Sequence, residues 1–138
     1  MSSDGSGMPM RAVVAAHGNL AAGVISAVEQ ISGRGSAFVC VSNADLDADG
    51  LLATVRDAVQ ASGARIVFTD LPAGSCTIAA RRLQREVPGL SVVTGVNLAM
   101  LLDFALKGGP PDSAAARAAA KGGEAIAVAA PVEGPGVH

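Results

Sequence analysis

Residues 11–20 read RAVVAAHGNL, a short apolar run that is closed by a histidine, a glycine and an asparagine. A run of this length is typical of a buried parallel strand, and the polar residues mark its end. Similar runs follow over residues 36–41, 65–69 and 90–94. After the first run, apolar residues recur at helical spacing: Leu20, Val24, Ala27, Val28 and Ile31. Strands that alternate with helices predict an α/β fold, with an open, mostly parallel, doubly wound sheet and helices on both faces.

The composition of the chain changes at both ends. Residues 1–10 are polar and rich in glycine and serine, so we expect a disordered leader there. Residues 11–130 carry the strand and helix patterns and form one predicted domain, in which an alanine-rich helix covers 113–121 and a fifth strand covers 124–130. Residues 131–138 are rich in proline and glycine, which predicts a flexible tail or the start of a linker to another module.

The composition excludes several classes of protein. Half of the residues are hydrophobic and 16% are charged, which excludes a disordered chain. The net charge of -2 and the absence of Trp and Tyr argue against a nucleic-acid partner, because the chain offers neither a basic stripe nor a set of stacking rings. No apolar run approaches the roughly 18 residues that a membrane span needs, so we expect a cytoplasmic protein.

Motifs for common cofactors are absent from the sequence. There is no GxGxxG, no GxxxxGK(S/T) and no GxSxG, which argues against a dinucleotide, a P-loop nucleotide and a hydrolase nucleophile. The two cysteines form no CxxC pair, and the two histidines are His17 and His138. Because metal sites need clustered His, Cys or carboxylate ligands, we expect neither a metal nor another cofactor.

Two candidate catalytic residues directly follow predicted strands. His17 lies between the first strand and a helix, and Asp70 follows the third strand. Open α/β sheets bind ligands at the carboxyl ends of their strands, and the first and third strands are often neighbours in doubly wound sheets. We therefore predict that Asp70 binds one ring nitrogen of His17, fixes its tautomer and leaves the other nitrogen nucleophilic. The alternative is a structural histidine and a carboxylate that caps the next helix.

The loop over residues 71–76 is a candidate anion site. It contains Gly74 and Ser75 and leads into the third predicted helix. Backbone N–H groups at a helix start bind anions, and the Ser75 hydroxyl could add a donor; an ordinary turn with a serine cap is the alternative. Cys76 begins the same helix but is disfavoured as a catalytic thiol, because no second histidine is available nearby as its base.

Three segments together resemble the mannose-family enzyme IIA domains of the bacterial phosphotransferase system. Residues 13–21, VVAAHGNLA, resemble the family's phosphorylation-site segment. Residues 68–75, FTDLPAGS, resemble its Asp loop, which runs Asp, variable residues, Gly-Gly-Ser-Pro. Residues 94–101, TGVNLAML, resemble its Gly-Val-Asn-x-Pro-Met-Leu segment. The resemblance covers about residues 11–130, and the three motifs are more specific together than apart.

The resemblance implies a phosphotransferase that carries a phosphoryl group on His17. The phosphocarrier HPr would phosphorylate His17, which would pass the group to a histidine of an enzyme IIB partner for sugar uptake, with the membrane involved only through a permease component. Asp70 would orient His17, while Gly18, Gly74 and Ser75 would hold the phosphoryl oxygens. The resemblance also implies a homodimer in which the last strand is antiparallel and crosses to the other subunit.

The chain departs from the family pattern at three positions. Ala73 replaces the first glycine of the Gly-Gly pair, and Cys76 and Ala99 each replace a proline. These positions lie beside the chemistry, so they bear on loop shape and on the choice of partner more than on phosphorylation.

Three other functions remain open at this point. The chain could be a regulatory phosphoprotein of the same system, with no sugar delivered. It could be a subunit that donates phosphate to a dihydroxyacetone kinase, or a non-enzymatic, flavodoxin-like ligand-binding domain.

Overall fold

A computed structural model describes residues 10–135 of the chain. The predicted leader over residues 1–10 lies outside this range except for Met10, and so do the last three residues of the predicted tail, including His138.

The centre of the fold is a sheet of four strands: β1 (Ala12–Ala16), β2 (Phe38–Ser42), β3 (Ile66–Thr69) and β4 (Ser91–Val93). Their order across the sheet is β2-β1-β3-β4, and every strand pair among the described residues is parallel. The first and third strands are therefore neighbours, as the sequence predicts. All side chains of β1 are buried, because helices cover both faces of this central strand.

Five helices connect and cover the strands: α1 (Leu20–Ser32), α2 (Ala48–Ser62), α3 (Ser75–Gln84), α4 (Leu98–Lys107) and α5 (Pro111–Glu124). One face of the sheet packs against α1, α4 and α5, and the other packs against α2 and α3. Val14 of β1 contributes to the first core, and its neighbour Val13 contributes to the second, as the alternation of a strand requires. The predicted open α/β fold with helices on both faces is confirmed. Among residues 10–135, no helix is both long enough and apolar enough to cross a membrane.

The apolar spacing over the first helix predicts only part of the stripe that α1 buries. On α1 the buried residues are Ala21 and Val28, whereas Leu20 and Ile31 are exposed. Val28 is thus buried as the spacing predicts, whereas Leu20 and Ile31 lie outside the stripe that faces the sheet. On α3, Ile78 is exposed, because the neighbouring Thr77 and Ala79 face the core.

The fifth strand, predicted over residues 124–130, does not form within the chain. The alanine-rich helix α5 runs on to Glu124, and residues 125–135 form no strand. The helix extends beyond its predicted bounds of 113–121 at both ends: Pro111 is tolerated because it occupies the first turn, and Gly122 and Gly123 continue the last turn to Glu124. A strand also needs a hydrogen-bonding partner, and within the described chain this segment lies against none. Its pairing with a second subunit stays a prediction.

The three aromatic residues of the chain form one cluster in the first core. The ring centroids of Phe38 and Phe68 lie 6.4 Å apart, and the ring of Phe104 lies 5.6 Å from the former and 5.7 Å from the latter. The cluster joins β2, β3 and α4 in arrangements that aromatic quadrupoles favour. Phe68 is completely buried, and it lies two residues before Asp70.

We expect Phe68→Ala to lower the free energy of unfolding by about 3–5 kcal/mol, because it removes a buried ring and leaves a cavity that the neighbours cannot fill. Ile31→Ala is the control, since Ile31 is 62% exposed and its truncation should cost about 0.5 kcal/mol or less. Urea unfolding followed by circular dichroism measures both. Equal losses for the two variants would contradict the assignment of the aromatic cluster as the centre of the core.

Candidate active site

The carboxyl ends of β1 and β3 bring His17 and Asp70 into contact. Ala15 of β1 pairs with Thr69 of β3, so the residues that follow these strands leave the sheet side by side. The ring Nδ1 of His17 lies 2.7 Å from Oδ2 of Asp70, and the backbone N–H of His17 donates to the same oxygen at 2.9 Å. Asp70 therefore holds both the backbone and the side chain of His17.

This contact determines which ring nitrogen of His17 is available. An ionised carboxylate only accepts hydrogen bonds, so Nδ1 must carry the proton and Nε2 keeps its lone pair. The side chain of His17 is 44% exposed, whereas that of Asp70 is 9% exposed. The arrangement presents a nucleophilic nitrogen to solvent and buries the group that orients it.

The environment of Asp70 favours its charged form. Burial alone would raise the pKa of this carboxyl. The backbone N–H and the ring of His17, together with the N–H of Asp70 itself, outweigh burial and hold the pKa of Asp70 below its usual value. Asp70 is thus a carboxylate at neutral pH, as the orienting contact requires.

Two residues that the sequence analysis did not single out hold the turn after His17. Gly18 has a φ of +56°, a conformation that L side chains rarely adopt. Its N–H donates to Oδ1 of Asn43 at 3.1 Å, and its carbonyl accepts from the hydroxyl of Ser42 at 2.8 Å. Ser42 and Asn43 lie at the end of β2, so the signal that could have found them is the one that found His17: a polar residue at the end of a strand.

The predicted anion site lies at the start of α3, beside the ring of His17. A Cβ built on Gly74 would lie 3.4 Å from Cε1 of His17, so the backbone of Gly74 passes close to the ring. Gly74 is the N-cap residue of α3 and Ser75 is its first residue, and no side chain among the described residues caps this helix. The alternative roles of Ser75 and Asp70 as helix caps are therefore wrong. The first N–H groups of α3 stay available to an anion.

A pair of buried threonines fixes the loop between Asp70 and α3. The hydroxyl of Thr77 donates to the carbonyl of Leu71 and lies 2.6 Å from the hydroxyl of Thr69. The bond from β3 to α3 spans the whole loop, so it restrains the position of Asp70. Sequence patterns give little signal for such a pair, because each threonine alone resembles an ordinary strand or helix residue.

Cys76 directly precedes Thr77 in α3, and its side chain is completely buried. Burial and the nearby carboxylate of Asp70 raise the pKa of the Cys76 thiol to about 11. A thiol in that state is a poor nucleophile, in agreement with the sequence analysis. One ligand atom each from His17, Asp70 and Cys76 nevertheless lie within 4.8 Å of one another.

The third motif, residues 94–101, holds the helices on the other face of the sheet. Oδ1 of Asn97 caps α4 by accepting from the N–H of Met100 at 3.0 Å. Its Nδ2 donates to the carbonyl of Gly122 at 2.9 Å and so ties α4 to α5. A Cβ on Gly122 would lie 2.7 Å from Cε of Met100, so only glycine fits there without a shift. No described contact links Asn97 to His17.

Comparisons with known proteins place the chain in one family by a family model, and solved structures share its fold. Residues 11–127 match the family model described as the PTS system fructose IIA component. The mannose/sorbose-specific IIA subunit of the phosphotransferase system from Enterococcus faecalis has a similar structure, with a TM-score of 0.77 and 24% identity over 91% of this chain and 98% of that one. The phosphotransferase system component EIIA from Streptococcus agalactiae gives a TM-score of 0.77 and 22% identity over 86% and 96%. A comparison with curated proteins found no match.

The lowered pKa of Asp70 predicts a dependence of stability on pH. A carboxyl whose pKa is lower in the folded state stabilises the fold above its usual pKa of about 3.9, and this contribution disappears as the pH falls through the lower value. The difference in unfolding free energy between the native chain and Asp70→Asn should therefore shrink from about pH 5 to about pH 2.5. Asp57→Asn, on the exposed side of α2, is the control and should show a smaller change. A difference that stays constant over this range would contradict the assigned bond to His17.

Proposed function

The chain belongs to the IIA family of the phosphotransferase system, and we propose that it is a phosphoryl relay protein that accepts the phosphoryl group of HPr on His17 and passes it to a histidine of an enzyme IIB partner. The observation that supports this function is the contact of 2.7 Å between Nδ1 of His17 and the buried carboxylate of Asp70, which assigns the proton of a neutral ring to Nδ1, on a side chain that is partly exposed.

In the proposed transfer, Nε2 of His17 attacks the phosphorus atom of phosphorylated HPr. The bond between Nε2 and phosphorus forms while the bond to the donor's histidine breaks, and the electron pair of that bond stays with the donor ring. The proton on Nδ1 of His17 remains there, and the carboxylate of Asp70 balances the positive charge that the ring gains. Transfer to the enzyme IIB partner reverses these roles, so the same contact serves both steps.

The start of α3 is the proposed binding site for the oxygens of the phosphoryl group. Its uncapped N–H groups carry the positive end of the helix dipole, and Ser75 adds an exposed hydroxyl. Gly74 leaves room beside the ring, because a Cβ there would lie 3.4 Å from Cε1 of His17, and Gly18 allows the turn that follows the ring. Phosphoryl transfer requires mainly that the reacting groups are positioned in line and that the charge on the equatorial oxygens is stabilised.

Exposed apolar side chains support a protein as the donor and acceptor. Leu20, Leu46, Leu71 and Ile78 are all exposed, and each lies at the beginning of a helix or in a loop at the edge of the sheet that carries His17. A cluster of apolar side chains around a reactive group is typical of a surface that docks another protein. HPr and the enzyme IIB partner would use this surface in turn.

The proposed roles predict a graded loss of phosphoryl transfer. His17→Gln should accept no phosphate, because it removes the nucleophile. Asp70→Asn should slow single-turnover transfer from phosphorylated HPr by about 10–10³-fold, since the amide cannot balance the charge on the ring. Ser75→Ala should cost less than Asp70→Asn, because it removes one neutral donor among several.

The measurement is the rate of label transfer to each variant, with circular dichroism to establish that the fold is intact. The adduct should be labile in acid, as phosphoramidates are. A stable phosphoserine at Ser75, or an unchanged rate for Asp70→Asn, would contradict the assigned roles.

We also propose a homodimer in which the segment after α5 pairs with the edge of the partner's sheet. On its outer side, β4 pairs with no strand among the described residues. A cavity of about 500 Å³ lies along this edge, between residues 91–94 and Ala115, Ala116 and Ala119 of α5.

The segment after α5 carries exposed apolar side chains at Ile126 and Val128, two positions apart as in a strand with one buried face. Exchange of the segment would cover both the edge and these side chains.

A chain that ends at Glu124 tests this assembly, because it keeps all of α5. Sedimentation should show a dimer for the full chain and a monomer, or an insoluble product, for the shortened one. A matched control carries Ile126→Ala in the full chain and should weaken the dimer without removing the segment. A stable dimer of the shortened chain would place the interface elsewhere.

A further inference from the structure

Three possible metal ligands converge at the carboxyl edge of the sheet, where the relay function needs only two of them. His17 follows β1, Asp70 follows β3 and Cys76 lies in the first turn of α3. One ligand atom from each of these residues lies within 4.8 Å of the other two. In a tetrahedral zinc site with bonds of about 2.0–2.3 Å, ligand atoms lie roughly 3.3–3.8 Å apart. The most widely separated ligand atoms therefore need to approach by no more than about 1.0–1.5 Å to bind one ion.

The second oxygen of Asp70 indicates independently that a cation fits here. Oδ2 accepts both hydrogen bonds from His17, whereas Oδ1 is buried and accepts no hydrogen bond from any described residue. The side chain of Asp70 is only 9% exposed, so water has little access to this oxygen. A buried carboxylate oxygen without a partner is costly, and a bound cation would satisfy it.

We propose that His17, Asp70 and Cys76 form a binding site for Zn²⁺ or a similar thiophilic divalent cation. An imidazole nitrogen, a carboxylate oxygen and a thiolate sulfur are ligands that zinc accepts together, whereas magnesium and calcium prefer oxygen ligands alone. Three protein ligands leave a fourth position open, and the ring of His17 is the partly exposed member of the three.

Binding changes the protons of the site in a defined way. The thiol of Cys76 loses its proton to solvent when sulfur binds the ion. The Nδ1 of His17 must give up its hydrogen to bind, so the ring proton moves to Nε2 and the imidazole stays neutral. Nε2 then has no lone pair for attack, and this consequence rests on the proposed relay function. A bound ion would thus hold the protein in a state that cannot accept a phosphoryl group.

Cobalt(II) is the probe for the site, because a bond between cobalt and a thiolate gives a charge-transfer band in the near ultraviolet. The native chain should bind one Co²⁺ with this band, and Zn²⁺ should abolish the band by displacing the cobalt. Cys76→Ala should lose the band and bind Zn²⁺ at least about 10-fold more weakly, since loss of a ligand should cost no less than loss of a residue that orients one. Cys40→Ser is the matched control, because Cys40 is the other cysteine and is exposed on β2.

The outcomes separate this site from the relay function. A cobalt–thiolate band that persists in Cys76→Ala, or that disappears in Cys40→Ser, would overturn the proposal, and so would a native chain that binds neither ion. Zn²⁺ should also stop phosphoryl transfer to the native chain and leave transfer to Cys76→Ala insensitive to the ion. A native chain that accepts no phosphate even without metal, yet shows the band, would refute the relay and leave the metal site standing. Cys76→Ser serves as a second variant if the alanine variant does not fold.

Discussion

The site depends on the pairing of β1 with β3, because this pairing alone brings His17 to Asp70. The two residues are 53 positions apart in the chain, and they meet because Ala15 lies beside Thr69 in the sheet. A slip of one residue in this register would turn the side chains of one strand to the opposite face and would separate the ring from the carboxylate. The core on both sides prevents such a slip, since every side chain of β1 is buried and each belongs to one of the two faces.

The elements around this contact restrain it from two sides. Asn43 and Ser42 hold the turn at Gly18 from the side of β2. Thr69 and Thr77 hold the loop after Asp70 from the side of α3. Because each restraint acts on backbone next to a functional side chain, the ring and the carboxylate have little freedom to separate. This rigidity is what a phosphoryl transfer by positioning requires.

The sequence predicts the main elements of the fold and the pair at its centre because both follow from local patterns. His17 and Asp70 each stand at the end of an apolar run, and parallel strands place such ends at one edge. The threonine pair escapes prediction, since nothing in the local sequence shows that Thr69 and Thr77 will meet across a loop. The segment after α5 could be predicted only in part. Its periodicity indicates that residues 124–130 can form a strand, but periodicity does not show whether the partner strand belongs to the same chain.

The two oxygens of Asp70 have different contacts, and this difference gives chemical importance to Cys76, which replaces a proline of the family pattern. Oδ2 alone accounts for the orientation of His17, since it accepts from both the ring and the backbone N–H. Oδ1 therefore takes no part in orienting His17, and it is buried without a hydrogen-bond donor among the described residues. A proline at position 76, as in the pattern that the sequence resembles, would offer neither an N–H nor a sulfur ligand. Cys76 places a thiol near the carboxylate of Asp70, and this carboxylate contributes to the raised pKa of the thiol. A positive charge at this point would stabilise both the carboxylate of Asp70 and a thiolate of Cys76. The proposed phosphoryl transfer would create such a charge on the His17 ring, and the proposed metal ion would supply it directly.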